Sequence, residues 1–251
     1  MIRVAAVGDV HVGEERGAFQ AGQLEDLSQS ADLLLLAGDL TQHGRPAESQ
    51  RLAAELRNSP VPVVAVLGNH DYHEGDQQRI RGVLEESGVV VLQGEGTVFS
   101  VRGVRVGVAG TKGFGGGFPG ACGSEFGEEE MKIFVRRARA EAEGLADALK
   151  RLECDVRIAL LHYAPCDGTL AGERLEIFPF LGSYFLGEAV DAAGCAVAFH
   201  GHAHAGTERA LTAGGIPVRN VARPVIKLAF KVYTLEPGEA APERRELRTE
   251  A

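Results

Sequence analysis

The sequence lacks the features of a disulfide-stapled or membrane-embedded protein. Its four cysteines are scattered over 251 residues without a Cys-x-x-Cys pair, which predicts free thiols in a reducing compartment. The longest leucine run has four residues, whereas a membrane span needs about 20 apolar residues. The first residues show no long apolar segment with a cleavage site, as a signal peptide would. These absences predict a cytoplasmic protein without a membrane partner.

Positive charge is also scarce. Lys and Arg number 26 against 35 Asp and Glu, which gives a formal net charge of −9. This balance argues against bulk attraction to nucleic acid or to an anionic membrane. A small phosphate-containing ligand is still compatible with it, because a bound metal ion can dominate the local charge of a site.

The domain organisation follows from the same survey of composition. No internal repeat and no linker between two cores is found in the sequence. From residue 236 onward the chain turns to Pro, Glu and Arg with almost nothing apolar. We therefore predict one domain over residues 1–235 and a polar, poorly ordered tail over residues 236–251.

The stretch 31–39 is the one around which the rest of the chain is organised. Its four leucines are typical of a strand buried on both faces, and the strand ends in Gly-Asp. Asp9, Asp39 and Asn69 each follow such an apolar run, and they lie 30 residues apart. That interval is about one strand–helix–strand unit. Since open α/β sheets bind ligands at the carboxyl ends of their strands, these three side chains should meet at one edge.

Periodicity and turn signals predict the remaining elements. Helices are expected over residues 18–29, 47–57, 76–87, 128–152 and 184–193. An antiparallel hairpin is expected from residues 97–101 and 104–109, and further strands over residues 156–161 and 195–199. Residues 110–127 form a glycine-rich loop with three phenylalanines.

Histidines accompany the carboxylates at several predicted strand ends. Residues two apart in extended chain point the same way, so Asp9 and His11 can reach one ion together. His202 and His204 repeat this spacing at a later strand end, whereas Asn69 and His70 are adjacent and should point in different directions. Oxygen and imidazole donors without thiolate suit Mn, Fe, Zn or a similar divalent ion.

These residues form five blocks along the chain: Asp9-x-His11, Gly38-Asp39, Gly68-Asn69-His70-Asp71, His162 and Gly201-His202-x-His204. In this order the blocks resemble the motifs of the calcineurin-like metallophosphoesterases, over residues 1 to about 235. The resemblance implies an α/β fold, a four-layer αββα sandwich of two mixed sheets. It also implies a dinuclear metal site at the edge of those sheets.

The resemblance further implies a ligand set. One metal would be held by Asp9, His11, Asp39 and His204, and the second by Asp39, Asn69, His162 and His202. His70 would face the phosphoryl group as the general acid, and Asp71 would orient its imidazole. The implied reaction is attack on a phosphate ester by a hydroxide that bridges two divalent ions, with manganese favoured.

One loop narrows the range of substrates that the resemblance allows. Residues 38–44 read Gly-Asp-Leu-Thr-Gln-His-Gly, without the Asp and Arg of the protein Ser/Thr phosphatase branch. The loop is more similar to the bacterial cyclic-nucleotide phosphodiesterases, which favours a phosphodiester or a small phosphomonoester. Candidate substrate contacts are His43, Lys112 and Phe114. The alternative for the latter two is that residues 110–127 form a flexible surface connection.

Two other functions remain open from the sequence. One is a nuclease acting on polynucleotide, which the acidic balance and the absence of an added basic domain disfavour. The other is a non-catalytic scaffold that keeps the fold as an interaction surface, which the complete set of motif residues disfavours. Homo-oligomerisation is left open, and the sequence names neither the native metal pair nor the physiological substrate.

Overall fold

The computed structural model describes residues 1–20 and 22–237. The strands are β1 (Ile2–Val7), β2 (Leu33–Ala37), β3 (Val63–Val66), β4 (Val90–Val91), β5 (Glu95–Val101), β6 (Val104–Thr111), β7 (Gly117–Phe118), β8 (Ala121–Cys122), β9 (Val156–Leu161), β10 (Val197–His200), β11 (Arg209–Leu211), β12 (Pro217–Asn220) and β13 (Lys231–Leu235). The α-helices are α1 (Leu27–Ser30), α2 (Pro46–Leu56), α3 (Gln77–Glu86), α4 (Glu129–Arg151), α5 (Phe178–Leu181), α6 (Tyr184–Ala193) and α7 (Arg223–Ile226). Short 3₁₀ helices cover His70–Tyr72, Asp167–Leu170 and Leu175–Ile177.

The strands form two large mixed sheets. The first has the order β13-β1-β2-β3-β4, with β1 to β4 parallel and β13 antiparallel at one edge. The second has the order β11-β12-β10-β9-β6-β5, with a parallel centre and antiparallel edge strands. The predicted hairpin is confirmed as β5 and β6, in which Val101 pairs with Val104.

The two sheets pack face to face around one apolar core. On β10 the side chains of Val197 and Phe199 point into this core, while Ala198 between them faces the other way, as strand alternation requires. Helices α2 and α3 cover the outer face of the first sheet, and α4 and α6 that of the second. The predicted αββα sandwich is therefore the observed fold.

The leucine strand β2 lies near the middle of the first sheet, between β1 and β3. All five of its residues are buried, which explains why its sequence is continuously apolar rather than alternating. No helix within the described residues combines the length and apolar composition needed to cross a membrane.

The predicted helix over residues 18–29 is wrong for most of its length. The α-helical part is confined to α1, and the preceding residues form turns. The Glu55 carboxylate of helix α2 accepts the main-chain N–H groups of Ala18 and Phe19, both at 3.0 Å, and holds the start of this segment against that helix. The predicted tail lies almost wholly outside the described residues, which end at residue 237.

Candidate metal centre

Polar side chains from both sheets meet where the parallel strands end. Their donor atoms form three groups that could hold a metal ion, each with all donors within 4.8 Å: Asp9, His11 and His204; His11, Asp39 and His70; Asp39, His162 and His202. Asp39 belongs to two of these groups, as a residue placed between two ions would.

Direct contacts join the donors of one sheet to those of the other. Nε2 of His204 lies 2.8 Å from Oδ1 of Asp9, and Nε2 of His162 lies 3.3 Å from Oδ1 of Asp39. The same His162 nitrogen is 2.9 Å from Oδ1 of Asn69. The structure thus brings together all seven residues that the resemblance implies as metal ligands.

The two carboxylates of this centre are buried without a permanent cation beside them. Asp9 is 3% exposed and Asp39 is 1% exposed. The basic side chains within 4.0 Å of them are imidazoles, and no Lys or Arg of residues 1–20 and 22–237 comes that close. Buried carboxylates need a compensating charge, and divalent metal held by oxygen and imidazole donors fits this requirement.

The pKa shifts of two imidazoles, those of His11 and His202, match a ligand role. Burial lowers the pKa of His202 to about 3 and also lowers the pKa of His11, which favours the neutral, metal-binding form. His204 differs, because its hydrogen bond to Asp9 raises its pKa. Burial raises the pKa of Asp9, but the hydrogen bond from His204, the charges of His162 and His204 and the N–H of His202 together hold this pKa below its usual range.

Main-chain carbonyls hold two of the rings in place. Nδ1 of His162 donates to the carbonyl of Ala37 at 2.9 Å, which leaves Nε2 facing Asp39. Nε2 of His202 donates to the carbonyl of Phe180 at 3.2 Å. Such contacts to the second nitrogen orient metal-binding histidines.

The backbone around the donors is strained. Asp9, His11, Asp39 and His202 have φ values between 45° and 69°, a left-handed region that non-glycine residues seldom occupy. Each such residue costs on the order of 1–3 kcal/mol. These four strained residues are all donors in the groups that could hold a metal ion.

Two motif glycines are required because the donors approach the backbone closely. A Cβ on Gly68 would lie 2.1 Å from Oδ1 of Asp39, and a Cβ on Gly201 would lie 2.3 Å from Oδ2 of Asp9. Any side chain at either position would collide with a carboxylate of the centre.

A family model described as calcineurin-like phosphoesterase matches residues 2–206. The chain belongs to this family. A probable cyclic nucleotide phosphodiesterase of Synechococcus sp. is 36% identical over 91 residues, 36% of this chain and 32% of that protein. The DNA double-strand break repair protein Mre11 of Methanopyrus kandleri is 35% identical over 107 residues, 36% of this chain and 24% of that protein. The chain thus matches about a third or less of the length of these relatives.

Solved structures share the fold at low sequence identity. The phosphopantetheinyl hydrolase of Mycobacterium tuberculosis superposes with a TM-score of 0.66 at 14% identity, covering 93% of this chain and 96% of that one. A putative 5'-nucleotidase of Staphylococcus aureus gives a TM-score of 0.55 at 16% identity, covering 87% of this chain and 48% of that one.

In this calcineurin-like phosphoesterase, His70 lies at the open side of the centre. Its Nε2 is 3.9 Å from Oδ2 of Asp39, and its ring is 4.5 Å from that of His11 between centroids. Nδ1 lies 2.7 Å from the carbonyl of Gln42 and donates to it. Nε2 is therefore the nitrogen that can exchange a proton with substrate or bind a metal.

Asp71 is placed differently from the expectation that it orients the His70 imidazole. Its buried carboxylate accepts main-chain N–H groups of Gly68 at 2.7 Å, Thr41 at 2.8 Å and Leu40 at 3.1 Å. It thereby ties the loop after β2 to the loop after β3. Burial and the neighbouring Asp39 raise the pKa of Asp71 to about 6 despite these bonds.

The three candidate substrate contacts differ in position. His43 is half-exposed, and its Nδ1 lies 3.0 Å from Oε1 of Glu48 on helix α2. Lys112 is 5% exposed, and burial lowers its pKa to about 8. The ring of Phe114 lies 5.1 Å from the ammonium of Lys112 and 5.2 Å from the ring of Phe134.

Two tyrosines lie beside the centre and were not predicted as site residues from the sequence. The ammonium of Lys112 lies 4.9 Å from the ring centroid of Tyr163 and 5.2 Å from that of Tyr72. Tyr163 also stacks on His202, with 4.4 Å between ring centroids. Each tyrosine follows a motif residue by one position, and that adjacency was the signal that could have found them.

The first half of the glycine-rich segment, residues 110–118, is packed, whereas residues 119–127 are largely exposed. Strands β7 and β8 form a small hairpin within the segment, and Phe118 is buried. The N–H groups of Gly116 and Gly117 donate to the carbonyls of Pro179 and Gly182. These bonds fix the segment beside the metal centre.

Proposed function

We propose that this protein is a dinuclear metal-dependent hydrolase of phosphate esters. The observation that carries the proposal is the pair of buried carboxylates that have imidazoles, and no Lys or Arg of the described residues, within 4.0 Å. One ion would be held by Asp9, His11, Asp39 and His204, and the other by Asp39, Asn69, His162 and His202. Manganese is the favoured metal, and residues 1–235 form one catalytic domain that works in the cytoplasm.

The ions and the side chains divide the chemistry. When bound, two divalent ions neutralise charge on the phosphoryl oxygens and make water a better nucleophile. His70 supplies the proton that the leaving alkoxide needs, through Nε2, because Nδ1 is committed to the Gln42 carbonyl. A positioned general acid contributes about 10²–10⁴ in rate. Asp71 serves this step by fixing the two loops that carry Asp39 and His70.

The leaving group would lie against Lys112 and Phe114. Within the described residues, no carboxylate oxygen lies within 4.0 Å of the Lys112 ammonium, whose hydrogen bond goes to the carbonyl of Gly113 at 2.9 Å. A buried cation without an ion-pair partner is costly, so an anionic group of the substrate would stabilise it. The neighbouring rings of Phe114 and Tyr163 suit an aromatic or apolar group. His43 would approach from the loop after β2.

A phosphodiester is the favoured substrate. The loop 38–44 is similar to that of bacterial cyclic-nucleotide phosphodiesterases, and one relative is described as a probable cyclic nucleotide phosphodiesterase. A second candidate function is nuclease activity, which the similarity to the Mre11 repair protein favours. The formal charge of −9 weighs against a long polynucleotide substrate.

The test is a substrate panel on protein loaded with Mn²⁺ and measured for metal content. Bis-p-nitrophenyl phosphate, p-nitrophenyl phosphate, cyclic nucleotides and single-stranded DNA are compared with an Asp39→Asn variant as the control. We expect hydrolysis of the diester, with the cyclic nucleotides cleaved faster than DNA. Protein that holds two metal equivalents and cleaves none of these esters would contradict the proposal.

A further inference from the structure

A cavity of about 630 Å³ lies outside the metal centre. It is bounded by residues 15–20, by one side of helix α2 and by residues 223–229. Four cationic side chains line it: Arg16, Arg51, Arg223 and Lys227. None of the candidate metal ligands lines this cavity. We call this cavity the arginine pocket.

The four cations have no ion-pair partner within the described part of the chain. No carboxylate oxygen of residues 1–20 and 22–237 lies within 4.0 Å of them, whereas the nearby Arg45 pairs with Glu14 at 3.1 Å. Arg51 donates to the main-chain carbonyl of Glu14 at 3.0 Å, and Arg223 to that of Ala229 at 3.4 Å. The side chains of Arg51 and Arg223 thus hydrogen-bond to neutral carbonyl groups.

Arg223 is the clearest example of a cation with a hydrogen-bonding group that lacks a partner in the part of the chain that the structure describes. Its Nε is buried, and no hydrogen-bond acceptor is found for it among the described residues. Burial, followed by the neighbouring Arg16, lowers its pKa, with Glu55 acting in the opposite direction. Its guanidinium lies 5.8 Å from the ring centroid of Phe19. A buried guanidinium nitrogen without an acceptor is costly unless a ligand supplies one.

The acidic side chains of the pocket do not cancel this charge. Glu55 is engaged by the main-chain N–H groups of Ala18 and Phe19, and Glu15 is exposed to solvent. Four cations therefore face two carboxylates in a chain whose formal net charge is −9. A local excess of positive charge in an acidic protein needs a specific explanation.

We propose that the arginine pocket binds a phosphate-bearing anion with at least two negative charges. Arginine forks match phosphate oxygens in two parallel hydrogen bonds. The volume lies within the range of about 300–1,000 Å³ that small-ligand sites occupy. The pocket shares no residue with the metal centre, so this proposal does not rest on the proposed hydrolase activity.

The pocket and the metal centre are nevertheless joined through the main chain. The segment that carries Asp9 and His11 continues into the pocket wall at residues 15–20. The N–H of Arg223 donates to the carbonyl of Gly8, one residue before Asp9, at 3.0 Å. The anion would thus be bound beside the metal-ligand loop.

The test is calorimetric titration of pyrophosphate into protein stripped of metal and dialysed free of chelator. Without metal, binding at the hydrolase centre is removed from the measurement. We expect saturable binding to one site that weakens as salt is added. Each of Arg51→Gln and Arg223→Gln should weaken it about ten-fold or more, as expected for a lost charge-assisted hydrogen bond.

Three controls keep the result interpretable. Arg136→Gln removes an exposed arginine that is paired with Glu125 and Glu129, and it should bind as the wild type does. Since Arg223 is partly buried, the exposed pair Arg51→Gln and Lys227→Gln tests the pocket without altering its interior. Titration of ADP in place of pyrophosphate distinguishes two kinds of ligand. If the pocket binds a nucleotide, ADP should bind at least as tightly as pyrophosphate. If the pocket binds an inorganic anion, pyrophosphate should bind more tightly than ADP.

Two results would overturn the proposal. One is the absence of saturable binding at millimolar concentrations of either anion. The other is equal affinity in the wild type, the pocket variants and Arg136→Gln. Failure of the ester panel with intact anion binding would refute only the hydrolase proposal.

Discussion

Oδ1 of Asp39 accepts a hydrogen bond from the main-chain N–H of His70 at 2.9 Å. This bond joins the end of β2 to the residue that follows Asn69, so that neither can move without the other. It also takes one lone pair of Oδ1 and sets the direction of the carboxylate. Metal binding and the placement of the proposed acid are therefore coupled through one side chain.

Asp39→Asn is expected to disturb both ions, whereas His204→Ala should weaken chiefly one. Loss of a ligand should cost more than the 10–100-fold typical of groups around the ligands. Metal content and turnover of bis-p-nitrophenyl phosphate measure the difference. Asp155→Asn, an exposed carboxylate paired with Arg105, serves as the control. Equal metal loss in the two ligand variants would argue against Asp39 as the bridge.

His70→Ala should lower kcat by about 10²–10⁴ while two metal equivalents stay bound. The reason is that a lost proton donor slows departure of the alkoxide without removing a ligand. His73→Ala changes an exposed histidine three residues away and should leave kcat unchanged. Since His70 shares a donor group with His11 and Asp39, a drop to one metal equivalent would make it a ligand instead.

Lys112 should make a contribution to the stability of metal-free protein that grows with pH. Burial lowers its folded-state pKa to about 8 from its ordinary value of 10.5. Between these values Lys112 binds more protons in the unfolded chain than in the folded one, so its contribution to the free energy of unfolding should increase by about 3 kcal/mol. Burial raises the pKa of the Cys195 thiol to about 12, which acts in the opposite direction, so the contribution is measured by urea denaturation as the difference between wild type and Lys112→Met. This difference should rise with pH, whereas the difference between wild type and exposed Lys150→Met should stay constant.

Gly68→Ala should abolish activity although it removes no ligand. The added Cβ would lie 2.1 Å from Oδ1 of Asp39, so the carboxylate or its loop must shift. We expect at least about a 100-fold loss of turnover, read with metal content and thermal unfolding. Gly82→Ala in helix α3 meets nothing within 4 Å and should be active and up to about 1 kcal/mol more stable. Full activity of Gly68→Ala would show that the loop is more adaptable than its contacts indicate.

Much of the fold could be predicted from strand ends. The 30-residue interval between Asp9, Asp39 and Asn69 reflects a regular β–α–β repeat in the first sheet, and parallel strands must bring their carboxyl ends to one edge. The leucine strand was recognisable because burial on both faces suppresses alternation. These features depend on local pattern and on chain direction, both of which a sequence contains.

What escaped prediction depends on contacts between distant segments. Residues 18–29 have helix-forming composition, but the start of the segment is bound to helix α2 through Glu55, which accepts the amides of Ala18 and Phe19, and the α-helical part begins at Leu27. Asp71 was expected to hydrogen-bond to the imidazole of His70, but its carboxylate accepts main-chain N–H groups of two loops instead. The burial of Lys112 is equally invisible, because its aromatic neighbours come from separate parts of the chain.

The donors of the metal centre come from both sheets. Asp9 faces His204 across 195 residues of chain, and Asn69 faces His162 across 93. Ions held between such partners would close very long loops and cross-link the two sheets of the sandwich. The free energy of metal binding would also offset the backbone strain at the strand ends. Bound metal would therefore raise the stability of the folded protein above that of the metal-free form.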